Sequence, residues 1–253
     1  MLETAIEAAR LAGEVIVDRY SVGHTVTVKG YRDIATEVDT AAEAVILDLI
    51  RKRFPDHAIL SEEAGGSGIG DGYTWVVDPL DGTTNYSRRL PICCVSIGLL
   101  EGGQPLVGVV YDPLRGQMFV ADRGGGARLN GAPIHASQVA RLDHSVVGLD
   151  WGHSDAERGR TIRMLLRVAP SSGTVRALGS AALALCYVAA GWLDAYFNLI
   201  MKPWDAAAGV LLIAEAGGRC TTLDGHPYSV EIPGCVATNG NIQDDLLAAM
   251  RDA

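Results

Sequence analysis

Trp75-Val76-Val77-Asp78-Pro79-Leu80-Asp81-Gly82-Thr83-Thr84-Asn85 is the stretch on which the reading of this chain turns. An apolar run leads straight into two acids separated by Pro79 and Leu80. Proline fixes its own φ and cannot donate to a strand ladder, so the strand stops there. Gly82 permits a tight turn, and Thr83 and Thr84 can open a helix whose free N–H groups face an anion. Two carboxylates beside such a helix end make electrostatic sense when a cation lies between them and the anion. Mg2+ suits that role, because it takes oxygen ligands and shares them with a substrate phosphate. An Asp-Pro turn alone is a common solvated turn; the full string is far more specific.

Two further acidic sites lie outward along the chain. Ser61-Glu62-Glu63-Ala64-Gly65 follows the apolar pair Ile59-Leu60, so the glutamates sit where a strand ends. Trp204-Asp205-Ala206 opens a helical stretch with Asp205 in its first turn. Taken singly, Asp205 reads as a helix-dipole partner worth about 0.3–1 kcal/mol, and Glu62 and Glu63 as a wet loop. Each taken alone is more often that than a ligand; their joint occurrence with Asp78 and Asp81 shifts the balance towards a shared cation site. Neither a Cys-x5-Arg element nor a GxxxxGK[ST] loop is present. For a phosphate ester, the substrate class implied by the family resemblance below, this favours direct hydrolysis by metal-activated water over a phosphoenzyme.

The first 140 residues predict an α+β lobe carrying most of the metal ligands. Ile6, Ala9, Ile16 and Tyr20 share one face of a helix over residues 4–20. Val38, Ala41, Val45 and Leu49 do so over 36–53, before Pro55. Short runs at 75–77, 94–100, 106–111 and 117–121, punctuated by Gly102-Gly103, Asp112-Pro113 and Gly124–Gly126, predict antiparallel hairpins. From residue 141 to 253, strands at 146–150, 175–178, 195–197 and 235–238 alternate with helices at 154–168, 181–190 and 204–216. That alternation predicts an α/β lobe completing the site.

Composition bounds the rest. A chain of 253 residues buries about three quarters of its extended surface and needs no staple. Lys and Arg total 21 against 30 Asp and Glu, a net charge of −9. A duplex-binding surface wants the opposite sign, so no nucleic-acid partner is expected. No segment reaches the roughly 18 unbroken apolar residues of a membrane helix. The five cysteines are odd in number and form no CxxC pair, which predicts reduced cysteines in a cytoplasmic protein. No HExxH is present, so zinc is not expected.

With these elements in place, the chain resembles the inositol monophosphatase family of Mg2+-dependent, lithium-sensitive phosphatases. The matching residues are Asp33-Ile-Ala-Thr36-Glu-Val-Asp39, Glu62-Glu63, Asp78-Pro-Leu-Asp81-Gly-Thr-Thr-Asn85, and Trp204-Asp205 followed by Glu215-Ala-Gly-Gly218. Their order and spacing span essentially the whole chain. The resemblance implies a layered αβαβα sandwich of mixed α+β and α/β character, a homodimer, and two to three Mg2+ ions per site. It implies that Glu62, Asp78 and the Leu80 carbonyl hold one ion, that Asp78, Asp81 and Asp205 hold a second, and that a third lies near Glu62. Asp39 and Thr83, with Glu62, are then the catalytic set that activates water. The Gly82 and Thr83 N–H groups hold phosphate, and Gly179-Ser180-Ala181 forms the substrate-side loop, alongside Asp81 and Asp205. Lys29 aligns with a basic residue near the metals, with Glu63 beside it; a plain exposed lysine is the alternative reading.

Specificity is less determined. Inositol-specific members carry a glutamate seven residues before the Trp-Asp aspartate, where this chain has Asn198. An amide still donates and accepts, but without charge. Lys202 either meets a second anionic group of the substrate or faces solvent. The expected substrate is inositol monophosphate or a related small sugar phosphate. Fructose 1,6-bisphosphate, histidinol phosphate and nucleotide 3′-phosphates are the alternatives, as is a non-catalytic binding protein on this fold.

Overall fold

A computed structural model describes residues 1–66 and 68–251. Helices α1 (Leu2–Tyr20) and α2 (Glu37–Arg53) flank an antiparallel hairpin of β1 (Val26–Gly30) and β2 (Asp33–Thr36). The large sheet follows, from β3 (Ala58–Ser61), β4 (Gly65–Gly66), β5 (Tyr73–Asp81), β6 (Cys94–Glu101), β7 (Gln104–Asp112), β8 (Gln117–Asp122), β9 (Gly126–Leu129) and β10 (Ala132–Pro133). A short helix, α3 (Thr83–Ser87), leaves the end of β5. The strand order is β10-β9-β8-β7-β6-β5-β3-β4, antiparallel throughout except for β3 beside β5. The smaller sheet joins β11 (Val146–Leu149), β12 (Thr174–Ala177), β13 (Ala195–Asn198), β14 (Arg219–Thr221) and β15 (Cys235–Thr238) in the order β12-β11-β13-β15-β14. Its β12-β11-β13 part is parallel. Four more helices complete the chain: α4 (Asp155–Ser171), α5 (Ala181–Ala189), α6 (Pro203–Glu215) and α7 (Gln243–Met250).

Three cores fix the layers. Ala5, Ile16, Val38 and Ile46 of α1 and α2 pack against Trp75, Val77 and Ile97 on one face of the large sheet. Helices α5 and α6 fill the space between the sheets, with Leu185, Leu212, Val76, Val110 and Tyr196 in one cluster. Helices α4 and α7 cover the far face of the small sheet through Met164, Val168, Leu246, Val147 and Phe197. The result is the αβαβα sandwich expected from the sequence. Among the described residues no helix is long and apolar enough to cross a membrane.

Two glycines set how closely α6 approaches the large sheet. A Cβ on Gly98 of β6 would lie 2.6 Å from Ala207 Cβ, and one on Gly108 of β7 would lie 2.6 Å from the Ala208 carbonyl oxygen. Only glycine lets these strands meet that helix, and the meeting brings the first turn of α6 to the end of β5.

The buried face of α2 differs from the expected one. Val38, Ala42, Ile46 and Ile50 are fully buried, while Ala41, Val45 and Leu49 are only half-buried. The face is rotated because Asp39 and Glu43 also turn inward, which a hydrophobic count cannot register. In the segment 90–95, Cys93, Cys94 and Val95 are fully buried, Ile92 is half-buried, and Leu90 and Pro91 are exposed. The β1–β2 hairpin escaped the sequence reading because every residue of β1 is exposed, leaving no alternation to detect. All five cysteines are unpaired, and four are buried.

Candidate metal and phosphate site

The large sheet delivers two carboxylates to one face by breaking its own register. On β5, Val76 faces the middle helical layer, whereas Trp75 and Val77 face α1 and α2. Asp78 follows Val76 by two and keeps its face. A regular strand would send Asp81 to the opposite face, since side chains alternate. Instead Asp78 pairs with Ser96 and Asp81 with Cys94, so three steps on β5 match two on β6. The Pro79-Leu80 bulge absorbs the extra residue, and the Leu80 N–H closes onto Asp78 Oδ1 at 3.0 Å. Gly82 then takes φ 90°, a left-handed turn that leads into α3.

The third carboxylate comes from the middle layer. Ser96, opposite Asp78, donates to the Trp204 carbonyl at 3.0 Å and ties the start of α6 to the sheet. Asp205, one residue on, accepts the Lys202 N–H at 2.9 Å. Asp78, Asp81 and Asp205 thus each offer an oxygen within 4.8 Å of the other two. Burial pushes the Asp78 carboxyl well above its usual range, and Glu62, Asp81 and Asp205 push it the same way. Asp205 is raised by burial and then by Asp81. Among the described residues no Lys or Arg forms an ion pair with any of the three. Three gathered anions without a counter-charge are costly, and an all-oxygen donor set fits a hard divalent cation.

Asp81 has a second task. Its carboxylate accepts Ser180 Oγ at 2.5 Å, Ala182 N–H at 2.8 Å and Ala181 N–H at 3.3 Å. It caps α5 across 99 residues of chain, a role that Ser180 does not perform for its own helix. Ser180 is therefore buried with its hydroxyl spent on Asp81, and of the expected loop only Gly179 and Ala181 line the cleft.

Glu62 and Glu63 sit after β3, and Lys29 Nζ lies 2.8 Å from an oxygen of each. The lysine is a bridge between the hairpin and the acidic loop rather than a free surface charge. Glu62 lines the cleft; Glu63 does not. Burial raises the Glu62 carboxyl, while Lys29 lowers it. The loop is held from beneath by Glu43, which accepts the Ser61 hydroxyl and the N–H groups of Glu63 (3.2 Å) and Ala64 (3.0 Å). Thr36 and Asp39 form a capping box on α2. Asp39, almost fully buried, also accepts Thr83 Oγ1 at 2.8 Å, and the Leu80 carbonyl lies 2.9 Å from the same hydroxyl. Burial raises the Asp39 carboxyl.

The residues converge on a cleft of about 550 Å³, lined among others by Asp78, Leu80, Asp81, Gly82, Thr83, Asn198, Lys202 and Asp205. Asn198 is buried and its amide is engaged: Nδ2 donates to the Tyr196 hydroxyl at 3.1 Å and Oδ1 accepts the Ile200 N–H at 2.9 Å. Lys202 is exposed at the rim.

The sequence profile of the Inositol monophosphatase family matches residues 1–253. The chain belongs to the inositol monophosphatase family. It is 42% identical over 256 residues to the Nus factor SuhB of Escherichia coli strain K12, across 100% of this chain and 96% of that protein. It is 40% identical over 255 residues to the Inositol-1-monophosphatase of Synechocystis sp., across 98% of this chain and 88% of that protein. The crystal structure of the extragenic suppressor protein suhB from Bartonella henselae superposes with a TM-score of 0.94 at 33% identity, covering 99% and 98% of the two chains.

Besides the residues shared with the inositol monophosphatase family motifs, the cleft contains groups that sequence reading missed. Asp150, Trp151, His153, Arg32 and Arg158 all line it. Asp150 had a detectable signal: it follows the last residue of a strand in the parallel part of its sheet, and ligands gather outside the carboxyl ends of such strands. The others come from loops whose placement depends on tertiary contacts. Glu215, quoted among the family residues, serves elsewhere, accepting the Gly124 and Gly126 N–H groups at 2.8 Å.

Proposed function

We propose that the chain is a Mg2+-dependent phosphomonoesterase acting on inositol monophosphate or a related small sugar phosphate. The observation that carries this reading is the convergence of Asp78, Asp81 and Asp205 within 4.8 Å, beside the Thr83–Asp39 pair at 2.8 Å. Residues 1–140 form the lobe that supplies Asp39, Glu62, Asp78 and Asp81, and residues 141–253 the lobe that supplies Asp205 and the substrate wall. Asp78, Asp81 and Asp205, with Glu62 and the Leu80 carbonyl, would hold a divalent cation, which would supply charge neutralisation for the phosphate and lower the pKa of a water towards about 7.

The chain's own groups do the rest. The Thr83 hydroxyl has one proton and two acceptors, Asp39 Oδ1 and the Leu80 oxygen. Donating to Asp39 leaves its own lone pair free to receive a proton from a water in the cleft. Asp39, buried and raised, is the terminal acceptor of that path. The Gly82 and Thr83 N–H groups, at the cleft wall, hold the phosphate oxygens. Phosphoryl transfer asks mainly for such positioning and charge balance.

A second reading, a partner-binding protein on this fold, is favoured by the Nus factor name of a relative at 42% identity. A chain freed from catalysis has no need to retain Asp39, Thr83 and Asp205 together, and all three are present. Phosphate release from inositol monophosphate, fructose 1,6-bisphosphate, histidinol phosphate and a nucleotide 3′-phosphate, with Mg2+ and with EDTA, decides between them. Mg2+-dependent release supports the enzyme; no release from any ester supports the binding protein.

A further inference from the structure

The wall facing the aspartate cluster is built from three neighbouring strand ends. Asp150 follows the last residue of β11, Gly179 comes just after β12, and Asn198 ends β13. The strands are parallel, and Leu149 pairs with Phe197, so Asp150 and Asn198 are the next residues along adjacent strands. All three line the cleft that also contains Asp78, Asp81 and Asp205.

Hydrogen-bond directions along this wall are fixed. Asp150 Oδ1 accepts the Gly179 N–H at 2.9 Å, and Oδ2 accepts the Tyr196 hydroxyl at 2.8 Å. A tyrosine that donates to a carboxylate must receive at its lone pair, and Asn198 Nδ2 fills that place at 3.1 Å. The Ile200 N–H on Asn198 Oδ1 sets the amide orientation. Among the groups left for a ligand are one lone pair on each Asp150 oxygen, one Asn198 N–H and a second lone pair on Asn198 Oδ1. A hydroxyl can donate to the first and accept from the second, so adjacent hydroxyls of a polyol satisfy both. A second phosphate or carboxylate meets the Asp150 charge instead.

Among the described residues no Lys or Arg forms an ion pair with Asp150, and of the four cations lining the cleft Lys29 and Arg32 are paired elsewhere while Arg158 and Lys202 keep their charge. Lys29 is paired with Glu62 and Glu63, and Arg32 with Asp155 at 2.9 Å and the His153 carbonyl at 3.2 Å. Arg158 Nε donates to the Gly152 carbonyl at 2.9 Å.

We propose that Asp150, seated by Gly179 and Tyr196, is the specificity-determining group that reads the hydroxyls of a neutral polyol and excludes a second anionic group. This rests on the phosphomonoesterase reading of the same cleft and narrows it to polyol monophosphates. Burial lifts the Asp150 carboxyl to about 6, so it is ionised at neutral pH.

The test compares wild type with Asp150→Asn on three esters: myo-inositol 1-phosphate, fructose 1,6-bisphosphate and phenyl phosphate, which has no hydroxyls to read. Losing charge-assisted bonds lowers kcat/KM for the inositol ester about ten- to a hundredfold, chiefly through KM. Phenyl phosphate hydrolysis stays within about twofold, and the ratio of bisphosphate to monophosphate turnover rises. A parallel fall on phenyl phosphate, or a wild type that prefers the bisphosphate, overturns the proposal. Release from no ester at all refutes the enzymatic reading instead. Calorimetry with myo-inositol 1-phosphate then still tests Asp150. A binding loss of about tenfold or more in the variant supports its role, and equal binding, or none to wild type, rejects it.

Discussion

Asp81→Asn separates the two tasks of a residue that both caps α5 and belongs to the carboxylate cluster. In the absence of metal, two unit charges 4.8 Å apart repel by about 3.5 kcal/mol at an effective dielectric of about 20. Neutralising Asp81 removes two such pairs, with Asp78 and with Asp205, a relief of about 7 kcal/mol with all three ionised and smaller to the extent that burial keeps Asp78 and Asp205 protonated. The losses are smaller. The amide oxygen can keep Ser180 and Ala182 by standing where Oδ2 stands. The amide nitrogen then faces the Ala181 N–H at 3.3 Å, donor against donor, at a cost of about 1–3 kcal/mol. Loss of charge at the α5 N-terminus costs a further ~0.3–1 kcal/mol. In EDTA the variant is therefore expected to melt at or above the wild-type temperature. With Mg2+ at a hundredfold its dissociation constant the wild type gains about 2.7 kcal/mol, or roughly 5–11 °C for a chain of this size. The variant loses most of that gain. Thermal melts of both proteins, with EDTA and across a Mg2+ series, read every quantity. A variant that melts far below wild type in EDTA refutes the repulsion estimate, and an undiminished Mg2+ shift refutes Asp81 as a ligand.

Two further expectations follow from the same geometry, and two, on Li+ and on the dimer, from the family resemblance. Thr83→Val keeps the shape but severs the path to Asp39, so kcat on inositol monophosphate should fall about 10²–10⁴-fold with little change in KM; an unaltered kcat removes Thr83 from the proton path. Gly108→Ala drives a methyl group into the Ala208 carbonyl and should destabilise the fold by about 1–3 kcal/mol, visible as a lower melting temperature; an unchanged melt would show that α6 can retreat freely. Li+ should inhibit hydrolysis, since it fills a cation position with half the charge; a rate that is flat across a wide Li+ range would reject this. Light scattering should give the mass of two chains, and a one-chain mass at micromolar concentration would reject the homodimer.

Much of the site could be read before the fold, because its chemistry is concentrated in short strings. Asp78-Pro79-Leu80-Asp81 announces both the acids and the bulge that aligns them, since proline cannot serve an interior ladder. Asp205 and Thr83 were legible as an acid and a hydroxyl at helix starts, whereas Asp39 was singled out only through the family resemblance. The two kinds of lobe followed from periodic helices and glycine-punctuated strands, and their layered order from the family resemblance. What was hidden depends on distant partners. Nothing near Asp81 shows that it caps a helix that begins 100 residues later, and nothing near Ser180 shows that its hydroxyl is consumed there. Glu43 resembles an exposed helical glutamate until Ser61, Glu63 and Ala64 are seen to converge on it. The rotated face of α2 has the same origin, because inward-facing acids blur the apolar stripe.

The central claim is that a divalent cation held by Asp78, Asp81 and Asp205 enables this chain to hydrolyse a phosphomonoester. Phosphate release from myo-inositol 1-phosphate against Mg2+ concentration, for wild type and Asp205→Asn side by side, tests it most directly. The account predicts no release by wild type in EDTA, a saturable rise with added Mg2+, and a variant curve that is displaced to much higher Mg2+ or stays flat. Release by metal-stripped wild type, or superimposable curves for the two proteins, would contradict it.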